Sequence, residues 1–399
     1  MDLRLPDHLR MLRETVARFV RKELIPLEPM VIRRECERGL ADTPLLDPTS
    51  EHHLKEETQK LGLWGIDVPE DHGGQDLGAL AKCVVVEQMK YSITPFVIPP
   101  DSPNLYLLSD CCTPEQRERY LIPYARGEKT SCLALTEPGA GSDAAAIRAR
   151  AKRDGGDWVL SGTKIFISNA KKSDFIIVLA VADAVPGSEG GITAFLVDRD
   201  TPGLSIPSSF PTIGEYHPYE VHLDGVRLSD DQVLGPVGKA FGPVQKRLSL
   251  RRAEIGARCV GLAQRCLDMM IEQARTRETF GKPLADRQAV QWWIADTYRE
   301  IRMTRLLTYA LAARIDRGDA DIRRDAAMLK VQATEMVGRA VDRAIQLFGA
   351  MGVSKELPLE YMYRLVRVYR IVEGPSEIHR WIIARDLLKH GGEGMAHEY

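Results

Sequence analysis

The chain has 399 residues, 44% of them hydrophobic and 28% charged, with a formal net charge of −2. That length allows two or three domains and a large core, and the near-balanced charge gives no electrostatic ground for nucleic acid or anionic membrane as the main partner. Seven cysteines, at 36, 83, 111, 112, 132, 259 and 266, show no C-x-x-C spacing, which points to reduced thiols in a cytoplasmic setting and to no metal site.

The N-terminus has no apolar signal core, and Asp2, Asp7, Glu14 and Glu23 argue against an organelle transit peptide. From Asp7 to about Arg126 the apolar spacing is helical. Leu9, Leu12, Val16, Phe19 and Val20 form one stripe, and Thr113-Pro114-Glu115 is a cap for a helix entering Tyr120 and Leu121. V-P-E-D-H-G-G-Q-D (68–76) is turn chemistry throughout.

From about Lys129 the period changes. S-C-L-A-L-T, D-W-V-L, K-I-F-I-S, D-F-I-I-V-L-A-V and I-T-A-F-L-V are short β-rich runs separated by Gly, Pro, Asp and Ser, ending near Leu234-Gly235-Pro236. The most apolar run, from Phe175, is broken by Asp183 and is too short to span a bilayer. A soluble protein is expected. Helical spacing then returns over 238–275, 287–316 and 321–348, with shorter segments to His390. The plan is mainly α with a central β domain: helical over 1–128, β over 129–236 and helical over 237–399. Alternating α/β elements would not segregate in this way.

Two stretches carry candidate chemistry. T-E-P-G-A-G-S-D (136–143) follows a strand, but lacks the third glycine of G-x-G-x-x-G and any G-K-[ST], and β-type runs follow it. Gly139, Gly141 and Ser142 suit either a tight surface turn, which composition favours, or a backbone nest for an anion. R-I-V-E-G-P-S-E-I-H-R (370–380) sets Glu373 on a bend between two helices, after the apolar pair Ile371-Val372. A carboxylate there is either paired with Arg370 or His379, or held dry to move a proton.

T-E-P-G-A-G-S-D followed by K-I-F-I-S-N-A (164–170) resembles the flavin-binding segment of the acyl-CoA dehydrogenase family, with a medium-chain-like overall pattern. L-G-L-W-G-I-D-V-P-E-D-H-G-G (61–74), G-L-A-Q-R-C-L-D (261–268), R-E-T-F-G-K-P-L (277–284), Q-L-F-G-A-M-G (346–352) and E-G-P-S-E-I-H-R (373–380) extend the likeness over nearly the whole chain, in the family's order. The resemblance implies a helical N-terminal domain, a small β-barrel-like middle domain and a C-terminal four-helix bundle. It also implies FAD, an acyl-CoA substrate in fatty acid metabolism, an electron-transfer flavoprotein as acceptor, and a homotetramer built as a dimer of dimers.

Carried over by position, Leu133, Leu135 and Thr136 meet the polar edge of the flavin, Gly141 and Ser142 reach the pyrophosphate, Phe166 lies against the ring and Ser168 sits close to N5. The family usually has Trp and Thr at those last two positions; Phe keeps a flat wall and Ser the hydroxyl. Arg277, Thr279, Phe280, Gln288, Gln346 and Gly349 match positions that hold the adenosine diphosphate portion, partly across a subunit boundary. Pro375, Ser376 and Glu377 stand where the common motif places cofactor contacts. Of these, Pro375 removes an N–H, Ser376 is expected to cap the next helix, and Glu377 either tunes the flavin or pairs with Arg380.

The resemblance makes Glu373 the base that removes the α-proton of the thioester while the β-hydrogen leaves as hydride. Packed against Val372 and a flat ring, a carboxylate sheds water and becomes a stronger base. Its own backbone N–H would help to polarise the thioester carbonyl, and Gly374 leaves the approach open. Some members put the base near position 250. There this chain has Arg251, with Glu254 three residues on and read as structural through a pair with Arg258. Ser142, Ser249 and Arg252 are further substrate candidates; Lys246, Arg247, Arg251 and Arg252 form a basic cluster suited either to coenzyme A phosphates or to a solvated helix face. P-F-V-I-P-P-D-S-P (95–103) falls at the family's pocket floor with prolines that break the usual helix. Two other outcomes stay open: a same-fold flavin oxidase or monooxygenase using O₂, and a non-catalytic relative of the nucleic-acid-binding kind, against which the interspersed acids of the C-terminal helices weigh.

Overall fold

A computed structural model describes residues 4–101 and 103–391; Asp2, and Ser102 of the proline-rich stretch, lie outside them. Helices α1 (Asp7–Phe19), α2 (Glu28–Arg38), α3 (Pro48–Lys60), α4 (Gly78–Met89) and α5 (Pro103–Cys111) come first. Leu9, Val16, Phe19 and Val20 are buried as one stripe, and the Asp47 carboxylate caps α3 by accepting from the Ser50 N–H. Thr113 does cap the next helical run, in a capping box whose return partner is Gln116. Between α4 and α5, residues 92–101 form no helix, as their prolines require.

The middle of the chain is one eight-stranded sheet. Its strands are β1 (Ser131–Ala134), β2 (Arg150–Asp154), β3 (Asp157–Ile167), β4 (Phe175–Ala182), β5 (Gly191–Asp198), β6 (Leu204–Ser205), β7 (Tyr219–Leu228) and β8 (Val233–Leu234). The spatial order is β6-β7-β3-β2-β4-β5-β8, and β1 pairs in parallel with β4, Ser131 opposite Phe175. β4 is buried along nearly its whole length, which accounts for its continuous apolar run. D-W-V-L and K-I-F-I-S, which read as two runs, are one strand. β3 is irregular against β7 between Lys164 and Ile167, and there Phe166 takes a left-handed φ of 57° and turns outward.

After the sheet come α6 (Phe241–Thr276), a small hairpin of β9 (Glu278–Thr279) and β10 (Lys282–Pro283), then α7 (Gln288–Asp316), α8 (Arg323–Phe348), α9 (Leu359–Tyr369) and α10 (Ser376–His390). α6 is buried almost all round from Arg252 to Ala263 because α4, α7 and α8 all pack on it. Among the described residues, no helix is long and apolar enough to cross a membrane.

The crossing of α6 with α4 is set by Gly261. A Cβ there would stand 2.1 Å from the Glu87 carbonyl oxygen and 3.0 Å from the Lys90 carbonyl carbon. Neither neighbour is a movable side-chain tip, so the two helix backbones approach this closely only across a glycine. Gly261→Ala is therefore expected to lower stability by at least ~2 kcal/mol, read as a fall in thermal midpoint. An unchanged midpoint would show that the crossing is not constrained in this way.

Candidate active site

Glu373 sits between α9 and α10, with φ 55°, and Gly374 follows with φ 93°. Two successive left-handed residues reverse the chain; for a glutamate the conformation costs about 1–3 kcal/mol and persists only where its surroundings hold it. Three side chains do so. The Arg252 Nε–H donates to the Glu373 carbonyl oxygen at 3.3 Å, and His379 Nε2 meets that same oxygen at 3.1 Å. Lys330 Nζ donates to the Gly374 carbonyl at 2.6 Å. A carbonyl only accepts, so the His379 proton is on Nε2, and its Nδ1 is left buried without a partner.

This clamp is built from buried groups. Arg252, Lys330 and His379 are 4%, 0% and 0% exposed. Burial pulls the Arg252 guanidinium down to about 10, against the Glu373 charge. Burial also brings the Lys330 ammonium down to about 8 and, with Arg252 and Lys330 nearby, His379 to about 3. His379 is therefore a neutral donor at physiological pH.

The Glu373 carboxylate takes no hydrogen bond from the clamp among the described residues, although its charge acts on Arg252 and Lys330. Its closest charged neighbour is Arg247, whose Nη1 lies 3.4 Å from Oε2 and which also holds the Asn104 side-chain oxygen at 3.2 Å. Several expectations are corrected here. Ile371 and Val372 are 58% and 40% exposed rather than buried. Arg370 and Arg380 both pair with Glu335, so neither is the partner of Glu373 or Glu377. Ser376 caps nothing; Pro375 occupies the cap position and the Ser376 Oγ is buried without a partner. Glu254 pairs with Arg251, not Arg258. Nor is the basic cluster of α6 one solvated face: Lys246 goes to Asp110, Arg251 to Glu254 and Asp101, and Arg252 into the clamp.

A second group lies on the sheet. The 136–143 loop closes on itself through paired backbone bonds between Glu137 and Ala140, with Gly141 and Ser142 exposed. What fixes the loop went unread in the sequence. Glu137 is buried, accepts the backbone N–H groups of Arg148 and Ala149 at 2.6 and 2.9 Å, and meets the fully buried Lys164 Nζ at 2.7 Å. Lys164 also donates to the Leu135 carbonyl. The Ile165 N–H donates to the Thr136 carbonyl, tying the loop to β3 beside exposed Phe166 and Ser168. Ser249 is buried and turned back on its own helix, donating to the Gln245 carbonyl.

The third group is elsewhere on the surface. Arg277, Phe280, Gln288, Gln346 and Gly349 are exposed, and Thr279 is half-buried with its carbonyl bonded by Arg287. Phe280 is 98% exposed at a left-handed φ of 51°. None of this group is in contact with Glu373 among the described residues.

These features fit a flavin dinucleotide. Among the described residues strand β1 pairs only with β4, next to an aromatic face that is 52% exposed and held outward by strained backbone at Phe166. Arg252 Nη1, Ser376 Oγ and His379 Nδ1 are buried polar atoms without partners around one turn, and native interiors leave few such atoms unexplained.

Comparison with known proteins agrees with this geometry. Residues 6–128, 132–226 and 239–388 match the N-terminal, middle and C-terminal domains of acyl-CoA dehydrogenase. (R)-benzylsuccinyl-CoA dehydrogenase of Thauera aromatica is 48% identical over 98% of this chain and 98% of its own. The mitochondrial short-chain specific acyl-CoA dehydrogenase of Bos taurus is 34% identical over 97% of this chain and 92% of its own. The structure of glutaryl-coenzyme A dehydrogenase with glutaryl-CoA superposes with a TM-score of 0.86 at 31% identity, covering 98% of this chain and 97% of that one. The chain belongs to the acyl-CoA dehydrogenase family and is an FAD-dependent oxidoreductase of coenzyme A thioesters.

Proposed function

We propose that the protein oxidises an acyl-CoA to its trans-2-enoyl-CoA, with Glu373 as the base. The observation that carries this is the clamped left-handed turn. Three buried side chains hold the Glu373 and Gly374 carbonyls and leave the carboxylate with only its long pair to Arg247 among the described residues. The carboxylate oxygen takes the α-proton, the Cα–H pair becomes the new π bond, and the β-hydrogen departs with its two electrons. Bound FAD supplies the hydride acceptor. The backbone N–H of Glu373, turned by the same conformation, is the donor for the thioester carbonyl as negative charge builds on it.

Arg247 is the resting partner of Glu373. Contacts of 3.4 and 3.5 Å are long for a charge-assisted bond, so the pair offers a substrate little resistance to separation. Gly374 is required here on two grounds: its φ of 93°, and the His379 Nε2 that a Cβ would meet at 3.0 Å. On this reading, Leu133, Leu135, Thr136, Gly141, Ser142, Phe166 and Ser168 hold the flavin end of FAD, with Pro375, Ser376 and Glu377 beside the clamp. Arg277, Thr279, Phe280, Gln288, Gln346 and Gly349 serve the adenosine diphosphate end, partly across a subunit boundary. The exposure of Phe280 suits a tetramer in which a partner covers it, and an electron-transfer flavoprotein takes the electrons.

Two of the similar proteins are named for benzylsuccinyl-CoA and glutaryl-CoA. Each of those acyl groups is a diacid that keeps one free carboxylate after thioester formation. We extend that substrate chemistry to this chain.

Glu373→Gln should keep the yellow cofactor and lose turnover by roughly 10³-fold, together with α-proton exchange into solvent measured by mass spectrometry. Full activity would move the base elsewhere. Lys330→Met should retain flavin and substrate affinity while kcat falls about tenfold or more, since a turn misplaced by a fraction of an ångström spoils proton transfer. A KM effect with kcat intact would make Lys330 merely structural. Slow reoxidation of the reduced enzyme in air, and fast reoxidation by an electron-transfer flavoprotein, is the expected acceptor pattern; rapid stoichiometric peroxide would favour an oxidase.

A further inference from the structure

Asn104, in the first turn of α5, is 4% exposed and stands where the three regions of the chain meet. Its side-chain nitrogen donates to the Ser131 Oγ at 2.9 Å, at the start of β1. Its side-chain oxygen accepts the Arg247 Nε–H at 3.2 Å, on α6. A guanidinium only donates, so the amide has one orientation, oxygen toward α6 and nitrogen toward the sheet. The chain just before it is fastened by the Tyr124 hydroxyl, which donates to the Asp101 carbonyl. Both ends of the Asn104 side chain are committed.

Arg247 is caught between that amide and the base. Its Nε is spent on Asn104, and Nη1 reaches the two Glu373 carboxylate oxygens only at 3.4 and 3.5 Å. Unrestrained guanidinium–carboxylate bonds close to about 2.7–2.9 Å. Here both side chains are mostly withdrawn from water, at 11% and 20% exposure, so their attraction is little screened. A restraint must therefore keep them apart. Asn104 is placed to supply it: Nε and Nη1 lie in one rigid plane, so a bond at Nε limits how far Nη1 can advance. Asp101, three residues before Asn104, attracts the same guanidinium. Arg251, Arg252 and Lys330 are the other cations that feel the Glu373 charge, and among the described residues none is hydrogen-bonded to its carboxylate.

We propose that Asn104 is a positioning residue that acts through Arg247. It holds the guanidinium off the base, so that the cation steadies Glu373 without closing on the carboxylate and occupying the lone pair that accepts the α-proton. Through Ser131 the same amide ties this restraint to β1, the strand assigned above to the flavin, so the base and the cofactor strand share one fixed point. The assignment rests on the reading of Glu373 as the base.

The test is a double-mutant cycle on the holoenzyme, read as kcat/KM and as α-proton exchange, with whichever of benzylsuccinyl-CoA, glutaryl-CoA and butyryl-CoA bleaches the flavin fastest. Asn104→Leu keeps the shape of the side chain and removes both of its bonds. Arg247 then closes on Glu373, and kcat/KM is expected to fall about tenfold. In an Arg247→Met background the same change should cost less than about twofold, because Asn104 has nothing left to restrain. Ser131→Ala, which frees the far end of the amide, should give a smaller loss that also vanishes with Arg247→Met. An equal loss in both backgrounds makes Asn104 merely structural and overturns the proposal, as does full activity in Asn104→Leu. Turnover abolished by Arg247→Met alone overturns it too, since a cation held off the base is not needed for proton transfer. Where Asn104→Leu does not hold flavin, Ser131→Ala in the two backgrounds decides. Glu373→Gln, run alongside, separates the two readings: full turnover there removes the base whatever the cycle gives, whereas lost turnover with an additive cycle removes only the restraint. Failure of all three esters to bleach the flavin overturns both.

Discussion

The site depends on a two-residue turn that the backbone would not choose unaided. A glutamate at φ 55° and a glycine at φ 93° are kept in place because their carbonyl oxygens are the acceptors that Arg252, His379 and Lys330 need. Each of those three is a buried polar side chain that would be costly without an acceptor. Strain in the turn and the desolvation of its clamp offset one another. The clamp also spends its donors on main-chain oxygens and, among the described residues, leaves the glutamate side chain to Arg247 alone, at long range. Rigid backbone and an uncommitted carboxylate are what a positioned base requires.

The same economy recurs on the sheet. Lys164 is wholly buried, yet it is answered by Glu137 and the Leu135 carbonyl, and Glu137 in turn takes two backbone N–H groups. Burial raises the Glu137 carboxylate and its partners outweigh that, leaving it lowered; Lys164 is lowered by burial despite Glu137. The geometry favours a charged pair, since the carboxylate has three donors within 2.9 Å. Such a pair contributes little net stability; its consequence is that the 136–143 loop has one shape, with Gly141 and Ser142 presented outward.

The helical, β and helical regions were legible because hydrophobic period is a local signal: β4 reads as a continuous run since both its faces are covered, and α6, α7 and α8 keep helical spacing for their full length. Glu373 was legible as a special residue from the Gly-Pro that follows it. The clamp was not. Lys330 and Glu373 are 43 residues apart in the sequence, and a lysine on a predicted helix reads as solvated until the tertiary structure shows it 0% exposed. Pairings within one helix misled for a related reason: Glu254 has arginines three residues before and four after, and only the folded side chains show that Arg251 takes the pair. The exposure of Ile371 and Val372 was hidden because apolar residues signal burial in an average protein, and a surface that serves a cofactor or a partner departs from that average.

Helix α6 joins these observations. Gly261 lets it lie directly on α4, which carries Lys82 and ends beside Lys90; Arg252 reaches forward into the clamp; and Arg247, Arg251 and Arg258 line the face between. Because α6 is enclosed by packed helices through its middle, its cations there are answered inside the fold, Arg251 by Glu254 and Asp101 and Arg252 by the Glu373 carbonyl. This buried helix is therefore a mechanical support of the Glu373 turn. A change in the α4–α6 crossing therefore shifts Arg252, and with it the turn at Glu373.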